Sequence, residues 1–443
     1  MNPTRPRTAA RAAGTLAVLA ALVLAAASSA YGSTAPRAAA AGNVPLVGAN
    51  ISDIQPSPLG EADQEIERAA ALHATVVRSE LAWSTFQPSS PASTDPGAVA
   101  YLDRLVSDAA AHNIRVILLV DSSPCWASTA PAAVLRGCQR IHTRANGYPP
   151  RDPNEYAAFV AYLAQRYGAH LAAIEIWNEP DHSNEQFFAG PEKATRYAAL
   201  LRAAYPAIKQ ANPNVAVIAG SLVGSNGVFL RALYAAGIKG YYDGLAVHYY
   251  TLTLASVRSI RAVQLANGDQ TPLWLDEFGW TSCFPRLRIQ AEQPCVTEAI
   301  QARDLSDVLR ALSPTSYIAA EVIYKLRDSP SENFGVLFHS GARKRSFSAL
   351  AKVFASPFGP VSRVRLKLRR RSGRVLASGS GPVGDFMQLE AFKSGKLRYR
   401  ATFVLDRFNR YSIRLPRTLG TRGLHVRVFQ FWSGPARGAQ RSI

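Results

Sequence analysis

Short apolar runs separated by longer amphipathic stretches recur eight times between Val44 and Phe354. Uniformly apolar runs are typical of parallel strands buried on both faces, and the amphipathic stretches between them are typical of helices that cover the sheet. Eight strand–helix units predict an α/β fold of the (β/α)8, or TIM barrel, type. The predicted strands are Pro45–Ile51, Thr75–Ser79, Arg115–Asp121, Ile174–Asn178, Val215–Ala219, Gly244–Tyr249, Leu273–Phe278 and Tyr317–Lys325.

A doubly wound open sheet is the competing fold for this alternation. That fold places a glycine-rich phosphate-binding loop after its first strand. Residues 48–53 have the sequence Gly-Ala-Asn-Ile-Ser-Asp, which is not such a loop, and this favours the barrel.

The composition changes after Pro357, where short segments of alternating side-chain character are separated by turn residues. This pattern predicts a small all-β, sandwich-like domain. We therefore predict a barrel domain over residues 43–357 and a basic, β-rich accessory domain over residues 361–443. The predicted strands of the accessory domain are Arg363–Arg371, Gly373–Ser378, Leu397–Leu405, Tyr411–Leu415 and Leu424–Trp432.

The first 30 residues have the pattern of a secretory signal peptide, with three arginines, then an apolar run, then small residues at a cleavage position. The apolar run from Ala13 to Ala27 is shorter than the roughly 20 residues of a membrane span, although an uncleaved anchor is the alternative. We predict a signal peptide over residues 1–30, a flexible leader over residues 31–42, and a secreted protein with no transmembrane span after cleavage.

The formal net charge of +19 is concentrated in residues 361–443, which carry 19 Lys and Arg against 3 Asp and Glu. Such a domain favours attachment to an anionic cell-wall polymer that bears phosphate or uronic acid groups. The alternative is a solvated β-module that only packs on the barrel. No nucleic-acid partner is expected, because the predicted export separates the chain from DNA.

Four cysteines suit an oxidising compartment. Cys125 lies close to Cys138 in sequence, and Cys283 lies close to Cys295, so local pairing is the simplest of the three possible connectivities. A zinc site is the alternative, but the chain has no Cys-x-x-Cys spacing to support it.

Two of the predicted strands end in glutamate, at the edge where a barrel of this kind holds its active site. Glu179 follows the fourth strand and precedes Pro180, and Glu277 closes the seventh strand before Gly279. Two carboxyl groups across a barrel mouth suit cleavage of a glycosidic bond, in which one protonates the leaving oxygen and the other attacks the anomeric carbon. Either glutamate alone could instead be an exposed loop residue or an ion-pair partner.

The segments Trp-Asn-Glu-Pro at 177–180 and Trp-Leu-Asp-Glu-Phe-Gly at 274–279 resemble the acid/base and nucleophile motifs of clan A glycoside hydrolases. The resemblance covers residues 44–355 and is closest to the cellulase-like family 5 and the family 39 enzymes. It implies that Glu179 is the catalytic acid/base and Glu277 the catalytic nucleophile. It also implies that Asn178 hydrogen-bonds the sugar 2-hydroxyl.

Three further residues match the pattern of the clan. Arg78 resembles the arginine that keeps the nucleophile ionised, and its alternative role is a structural ion pair with Glu175 or Glu80. His248 and Tyr250 resemble the His-x-Tyr pair, in which the tyrosine hydrogen-bonds the nucleophile and the histidine lines the cleavage subsite. A packing role is the alternative for Tyr250, and Tyr249 is an adjacent candidate for the motif tyrosine.

Aromatic residues follow several strand ends, and flat apolar rings match the C–H faces of pyranosides. We predict that Trp83, Trp126, Trp280 and Tyr324 line the substrate cleft, although the rings could instead cap the barrel core. Tyr324 stands where many clan members carry a tryptophan, and the third strand lacks the histidine common in family 5. These departures leave the sugar specificity open.

The sequence therefore predicts a secreted, retaining glycoside hydrolase that cleaves β-linkages of a polysaccharide or oligosaccharide. Two glutamates are expected to carry out the reaction by double displacement. No cofactor is expected. No metal site is predicted, because the eight histidines are scattered and form no His-x-x-x-His pair. The alternative is a catalytically inactive barrel that binds carbohydrate or associates with the cell wall.

Overall fold

The computed structural model describes residues 44–138, 143–224, 226–250, 253–283, 295–432 and 434–443. The predicted signal peptide and leader lie outside these residues. Within the described ranges, no helix combines the length and the apolar character that crossing a membrane requires.

Eight parallel strands close into a barrel in sequence order, which confirms the predicted (β/α)8 fold. Every predicted barrel strand is present, with ends that differ from the prediction by at most three residues. The barrel strands are β1 Leu46–Asn50, β2 Val76–Ala82, β3 Arg115–Asp121, β4 Leu171–Ile176, β5 Ala216–Leu222, β6 Gly244–His248, β7 Leu273–Phe278 and β8 Ile318–Ile323.

Helices connect the strands, and several begin at a residue that caps them. The Asp95 side chain accepts the Ala98 N–H, and the Thr297 side chain accepts the Ile300 N–H, so each satisfies a donor that the first helical turn leaves free. The helices are α1 Leu59–Ala71, α2 Trp83–Phe86, α3 Pro96–Ala111, α4 Ala132–Leu135, α5 Pro153–Tyr167, α6 Lys193–Ala211, α7 Val228–Ala235, α8 Thr253–Ala266, α9 Glu298–Leu312 and α10 Arg345–Ala355.

Apolar side chains fill the barrel on both sides of its strands. Ile117, Ile218 and Trp274 belong to the inner cluster, and a larger cluster joins the outer faces of the strands to the helices. The inner layer is tight at β1, where a Cβ atom on Gly48 would lie 1.8 Å from the Val76 carbonyl oxygen. Side chains therefore fill the lower barrel, and a site for polar chemistry is expected at the C-terminal ends of the strands.

Beyond the barrel the chain forms two antiparallel sheets, which confirms the predicted all-β C-terminal region. Its strands are β9 Arg365–Arg371, β10 Arg374–Ser380, β11 Met387–Lys393, β12 Lys396–Phe403, β13 Arg410–Arg414, β14 Leu424–Gln430 and β15 Ala439–Ser442. One sheet has the order β13-β10-β9 and the other has the order β12-β11-β14-β15. Leu366, Val375, Leu389 and Val426 contribute to one apolar core that both sheets share.

The two sheets are attached to helices α8 and α9 of the barrel. Arg258 donates to Asp385 over 2.7 Å, and its guanidinium lies 5.1 Å from the centre of a Trp432 ring. Asn409 donates to the buried carboxylate of Asp304 over 2.6 Å. Specific polar contacts therefore fix the β-rich region to the side of the barrel.

Candidate active site

Glu179 and Glu277 lie side by side at the C-terminal end of the barrel. Glu277 is the penultimate residue of β7, and Glu179 is the third residue after β4, where its left-handed backbone (φ 44°) departs from the strand. One carboxylate oxygen of each glutamate lies within 4.8 Å of the other and of a His248 ring nitrogen. Glu179 and Glu277 are only 7% and 8% exposed, so the two carboxyl groups meet in a site from which most water is excluded.

His248 and Tyr250 connect these two carboxyl groups. His248 Nδ1 lies 3.0 Å from Glu179 Oε1 and 3.1 Å from Glu277 Oε2. The Tyr250 hydroxyl donates to Glu277 Oε2 over 2.6 Å. The neighbouring Tyr249 is buried and directs its hydroxyl to a backbone carbonyl, so the contact with Glu277 is made by Tyr250.

Arg78 lies beneath the glutamates and contacts both β4 and β7. Its guanidinium makes a two-pronged contact with Glu175, at 2.7 and 3.1 Å, and donates to Glu277 Oε1 over 3.1 Å. The guanidinium of Arg78 also donates to Asn178 Oδ1 over 3.2 Å. This hydrogen bond orients the Asn178 side chain, which precedes Glu179. The two roles considered for Arg78, a partner of Glu277 and an ion pair with Glu175, are therefore both present.

The charges around Glu277 fix its protonation state. Burial opposes its ionisation, but the positive charges of His248 and Arg78 and the hydrogen bond from Tyr250 lower the pKa of Glu277 to about 2. Burial also disfavours the charged form of His248, yet the surrounding carboxylates raise the pKa of His248 well above its usual range. The surroundings therefore favour the ionised form of Glu277 and the charged form of His248.

The same network contains residues that the sequence alone did not identify. Asn50, the last residue of β1, accepts a hydrogen bond from Arg78 over 2.7 Å and donates to backbone carbonyls of β7 and β8. Ser221 donates to Glu175 from β5. Each is a polar residue near the end of an apolar strand, which is the signal that identified the two glutamates.

Two groups of described side chains bring three potential metal-ligand atoms within 4.8 Å: Glu175, His248 and Asp276, and Glu179, His248 and Glu277. Arg78 contacts Glu175, Asp276 and Glu277, and so supplies positive charge to both groups. Burial, and then the charge of Glu175, raise the pKa of Asp276 well above its usual range. A cation of the protein therefore already lies beside both groups.

A second acidic group lies at the ends of β2 and β3. The charge of Asp121, burial and the charge of Asp53 raise the pKa of Glu80 well above its usual range. Burial raises the pKa of Asp121 to about 7, although hydrogen bonds from Ser122 and Glu80 oppose the shift. Burial and mutual repulsion therefore favour the protonated forms of these carboxyl groups.

The predicted aromatic residues occupy different environments. Trp83 is fully buried, where it stacks on Phe159 and lies edge-on to Trp126. This burial favours the alternative in which the Trp83 ring caps the core, and the sugar contact stays a prediction. Trp280 is only 3% exposed, whereas Trp126 is half-buried and donates its indole N–H to the Gln87 carbonyl.

Tyr324 follows β8 and belongs to the same aromatic group as Tyr250. The two rings are 6.1 Å apart and perpendicular, and Phe334 packs edge-on to both of them. The Tyr324 hydroxyl donates to Glu332 Oε2 over 3.0 Å. This aromatic group supports the tyrosine that contacts Glu277.

Disulfide bonds join Cys125 to Cys138 and Cys283 to Cys295, which is the local connectivity predicted from the spacing. The first bond closes the loop after β3 that carries Trp126. The second lies at the two ends of a segment after β7, whose residues 284–294 are outside the described ranges. Each disulfide therefore restrains a segment that leaves the C-terminal end of the barrel.

The site can stabilise a fixed anionic carboxylate beside a second carboxyl group, with His248 in contact with both. A carboxylate held in this way can act as a nucleophile, and its neighbour can transfer a proton. Comparison with known proteins agrees with this chemistry. The family model described as cellulase (glycosyl hydrolase family 5) matches residues 39–280, which is more than half of the chain.

Solved structures share the fold at low sequence identity. A family 39 glycoside hydrolase from the gut symbiont Bacteroides cellulosilyticus WH2 is 18% identical, with a TM-score of 0.54 over 84% of this chain and 80% of that chain. The GH39 enzyme from Xanthomonas axonopodis pv. citri is 14% identical, with a TM-score of 0.52 over 85% and 93% of the two chains. A search of curated proteins found no match.

The family model covers the strands that carry Arg78, Glu179, His248 and Glu277, so the family match and the paired carboxyl groups concern the same part of the barrel. The chain belongs to glycosyl hydrolase family 5, the cellulase family of clan A, and is a glycosidase.

Proposed function

We propose that this glycosidase acts with retention of configuration, with Glu277 as nucleophile and Glu179 as acid/base. The approach of their carboxylate oxygens to within 4.8 Å carries this proposal. Retaining enzymes hold their two carboxyl groups about 5–5.5 Å apart, whereas inverting enzymes need about 6.5–9.5 Å to admit a water molecule.

In the first step, Glu277 attacks the anomeric carbon while Glu179 donates a proton to the leaving oxygen. The glycosidic bond breaks as the bond to Glu277 forms. In the second step, Glu179 removes a proton from a water molecule, which attacks the same carbon and releases the sugar from Glu277. Both protonation states return to their starting values, and no cofactor takes part.

The surrounding residues prepare Glu277 for this role. The pKa of about 2 keeps its carboxylate ionised, and the hydrogen bonds from Tyr250 to Oε2 and from Arg78 to Oε1 fix the orientation of the carboxylate. Asn178 is oriented by Arg78 and hydrogen-bonds the sugar 2-hydroxyl in this proposal. His248 lines the cleavage subsite between the two glutamates.

The proposed substrate is a β-linked polysaccharide or oligosaccharide. Trp126, Trp280 and Tyr324 are the proposed ring contacts for its sugars, because each follows a barrel strand at the end that holds Glu179 and Glu277. The two disulfides, together with the predicted signal peptide, support secretion. The basic β-rich region would then hold the enzyme at an anionic cell-wall polymer.

The test is hydrolysis of a panel of aryl β-glycosides and soluble polysaccharides by the wild type, Glu179→Gln and Glu277→Gln. We expect both variants to lose at least about 1,000-fold in kcat, because each removes a group that acts on the reacting bond. Glu67→Gln, an exposed glutamate on α1, is the matched control and should retain full activity.

Azide assigns the two roles separately. With an activated aryl glycoside, Glu277→Ala plus azide should give the α-glycosyl azide, since azide replaces the nucleophile directly. Glu179→Ala plus azide should give the β-glycosyl azide, since azide intercepts the enzyme-bound sugar. The opposite products would overturn the assignment, and a wild type that binds polysaccharide without cleaving any substrate would favour an inactive binding protein.

A further inference from the structure

The outward face of the three-stranded sheet combines an unusual set of side chains. Along each strand, alternate residues face the shared apolar core, where Leu366, Val375, Ala377 and Tyr411 are buried. The intervening residues face outward. They are Arg365, Lys367, Arg369 and Arg371 on β9, Arg374, Leu376, Ser378 and Ser380 on β10, and Arg410, Ser412 and Arg414 on β13.

The strand register aligns these residues in rows across the sheet. Ser380 pairs with Arg365 on one side and with Arg410 on the other. Four residues along the strand, Leu376 pairs with Arg369 and with Arg414, and between these rows Ser378 pairs with Lys367 and with Ser412. After Arg374 at its first position, the central strand therefore carries small or apolar outward side chains, and cations flank it on both sides in the first and the last of these three rows.

The dimensions of a β-sheet give this face the shape of a trough. The two outer columns lie two strand spacings apart, or about 10 Å, and successive outward residues along a strand are about 6.8 Å apart. Ser378 and Ser380 place hydroxyl groups on the floor. A single extended chain fits between the columns, with a cation at every outward position of β9 on one side and with Arg410 and Arg414 of β13 on the other.

The cations of this face are free to accept an anionic partner. Arg365, Lys367, Arg369, Arg410 and Arg414 are all exposed, and the three strands contain no Asp or Glu. Within the described part of the β-rich region, the ion pairs of the sheets form elsewhere, where Arg400 and Arg427 contact the buried Glu390 of the other sheet. A folded domain that needed these charges only for solubility would not require them in matched rows.

We propose that this face, the trough along β10, is the binding site for a linear polyanion whose carboxylate or phosphate groups are spaced along an extended chain. Arginine suits both groups, because its guanidinium can donate two parallel hydrogen bonds to either. The proposal rests on the attachment role proposed above and specifies the surface responsible for it. The polymer runs along β10, with its anions directed to β9 and β13.

The test compares two triple variants of the full chain that remove the same charge. Arg365→Gln, Lys367→Gln and Arg369→Gln together remove three of the four outward cations of β9. Lys396→Gln, Arg398→Gln and Arg422→Gln together remove three exposed cations outside it. Binding to polygalacturonate and to polyphosphate is measured at low and high salt, with dextran as the neutral control.

We expect the trough variant to bind at least about tenfold more weakly and the control variant to lose less than about threefold, since distant exposed charges are screened. The polymer that binds with the higher affinity shows whether the trough prefers carboxylate or phosphate groups. Unchanged glycosidase activity and melting temperature verify that both variants are folded.

Equal losses in the two variants would overturn the trough as the site while leaving the attachment role intact. A wild type that binds neither polymer, or binds only double-stranded DNA, would overturn the attachment role and the trough together. Either failure is independent of the glycosidase assay, which tests Glu179 and Glu277.

Discussion

Replacing Arg78 by methionine tests whether the buried carboxylates of the site depend on this one cation. Arg78 is 3% exposed and contacts Glu175 through two donors and Glu277 through a third. Methionine fills much of the same volume but carries no charge. Glu277 would keep its contacts with His248 and Tyr250, whereas Glu175 would keep only Ser221 as a close donor among those described.

The expected cost follows from the burial of both partners. Removing one member of a buried ion pair lowers the free energy of unfolding by about 3–5 kcal/mol, because it leaves an uncompensated charge. Glu175 is fully buried and loses both prongs of its contact, so we expect about 4–5 kcal/mol at pH 7.5. Arg78→Lys, which retains the charge but cannot bridge two carboxylates, should lose less.

The sign of the pH dependence separates this explanation from simple loss of packing. In the wild type the pKa values of Glu175 and Glu277 are lowered, so their contribution to stability is complete above the unfolded value of 4.5 and disappears only below it. In Arg78→Met the pKa of Glu175 should lie above 4.5, so the variant gains stability as the pH falls and Glu175 takes up a proton.

Each pH unit over which that proton is taken up contributes about 1.4 kcal/mol. The difference from the wild type should therefore shrink to about 2 kcal/mol at pH 5.5. The assay is urea unfolding followed by tryptophan fluorescence at both pH values. A cost below about 1 kcal/mol at pH 7.5, or a cost that does not shrink at pH 5.5, would refute the role assigned to Arg78.

Two further predictions concern single contacts. Tyr250→Phe should lower kcat/KM by roughly 10- to 150-fold, because a hydrogen bond to a charged group contributes about 1.5–3 kcal/mol, while Tyr162→Phe on the exposed side of α5 should leave it unchanged. Equal activity of Tyr250→Phe and the wild type would contradict the contact with Glu277. Asp385→Asn should lower the free energy of unfolding by about 1–3 kcal/mol in urea titrations, because it weakens a pair with the partly exposed Arg258, and a loss no larger than that of Glu67→Gln would count against it.

The barrel could be predicted because its strands are buried on both faces, and such strands are apolar throughout. The runs ending at Asp121 and Phe278 have the same boundaries in the structure as in the prediction. Strand β11 was missed although its apolar residues alternate with Gln388 and Glu390, a pattern typical of a strand. Both polar side chains are buried, because Arg400 and Arg427 pair with Glu390 and Gln388 donates to it, and these contacts with β12 and β14 are not visible in the local sequence.

In the candidate site, likewise, local sequence identifies some residues and not others. Glu179 and Glu277 are recognisable from motifs within single strands, whereas the roles of Asn50 and Ser221 depend on strands that meet only when the barrel closes. Trp83 follows a strand end, as a sugar-binding ring would. An apolar ring at that position is equally suited to closing the core, and local sequence does not distinguish the two outcomes.

The attachment of the β-rich region to α8 and α9 has a consequence for how the enzyme would act on a solid substrate. The backbone N–H of Ser362, in the segment that connects the barrel to the β-rich region, donates a hydrogen bond to Asp307 of α9. The connecting segment therefore does not behave as a free tether. A tethered hydrolase samples a volume around its anchor, and its local concentration is set by the length of the tether. Under the proposed attachment through the β-rich region, the distance from the attachment site to the active site would be constant. A bound molecule would then cleave only the bonds within that fixed distance, and further digestion would depend on its release and rebinding.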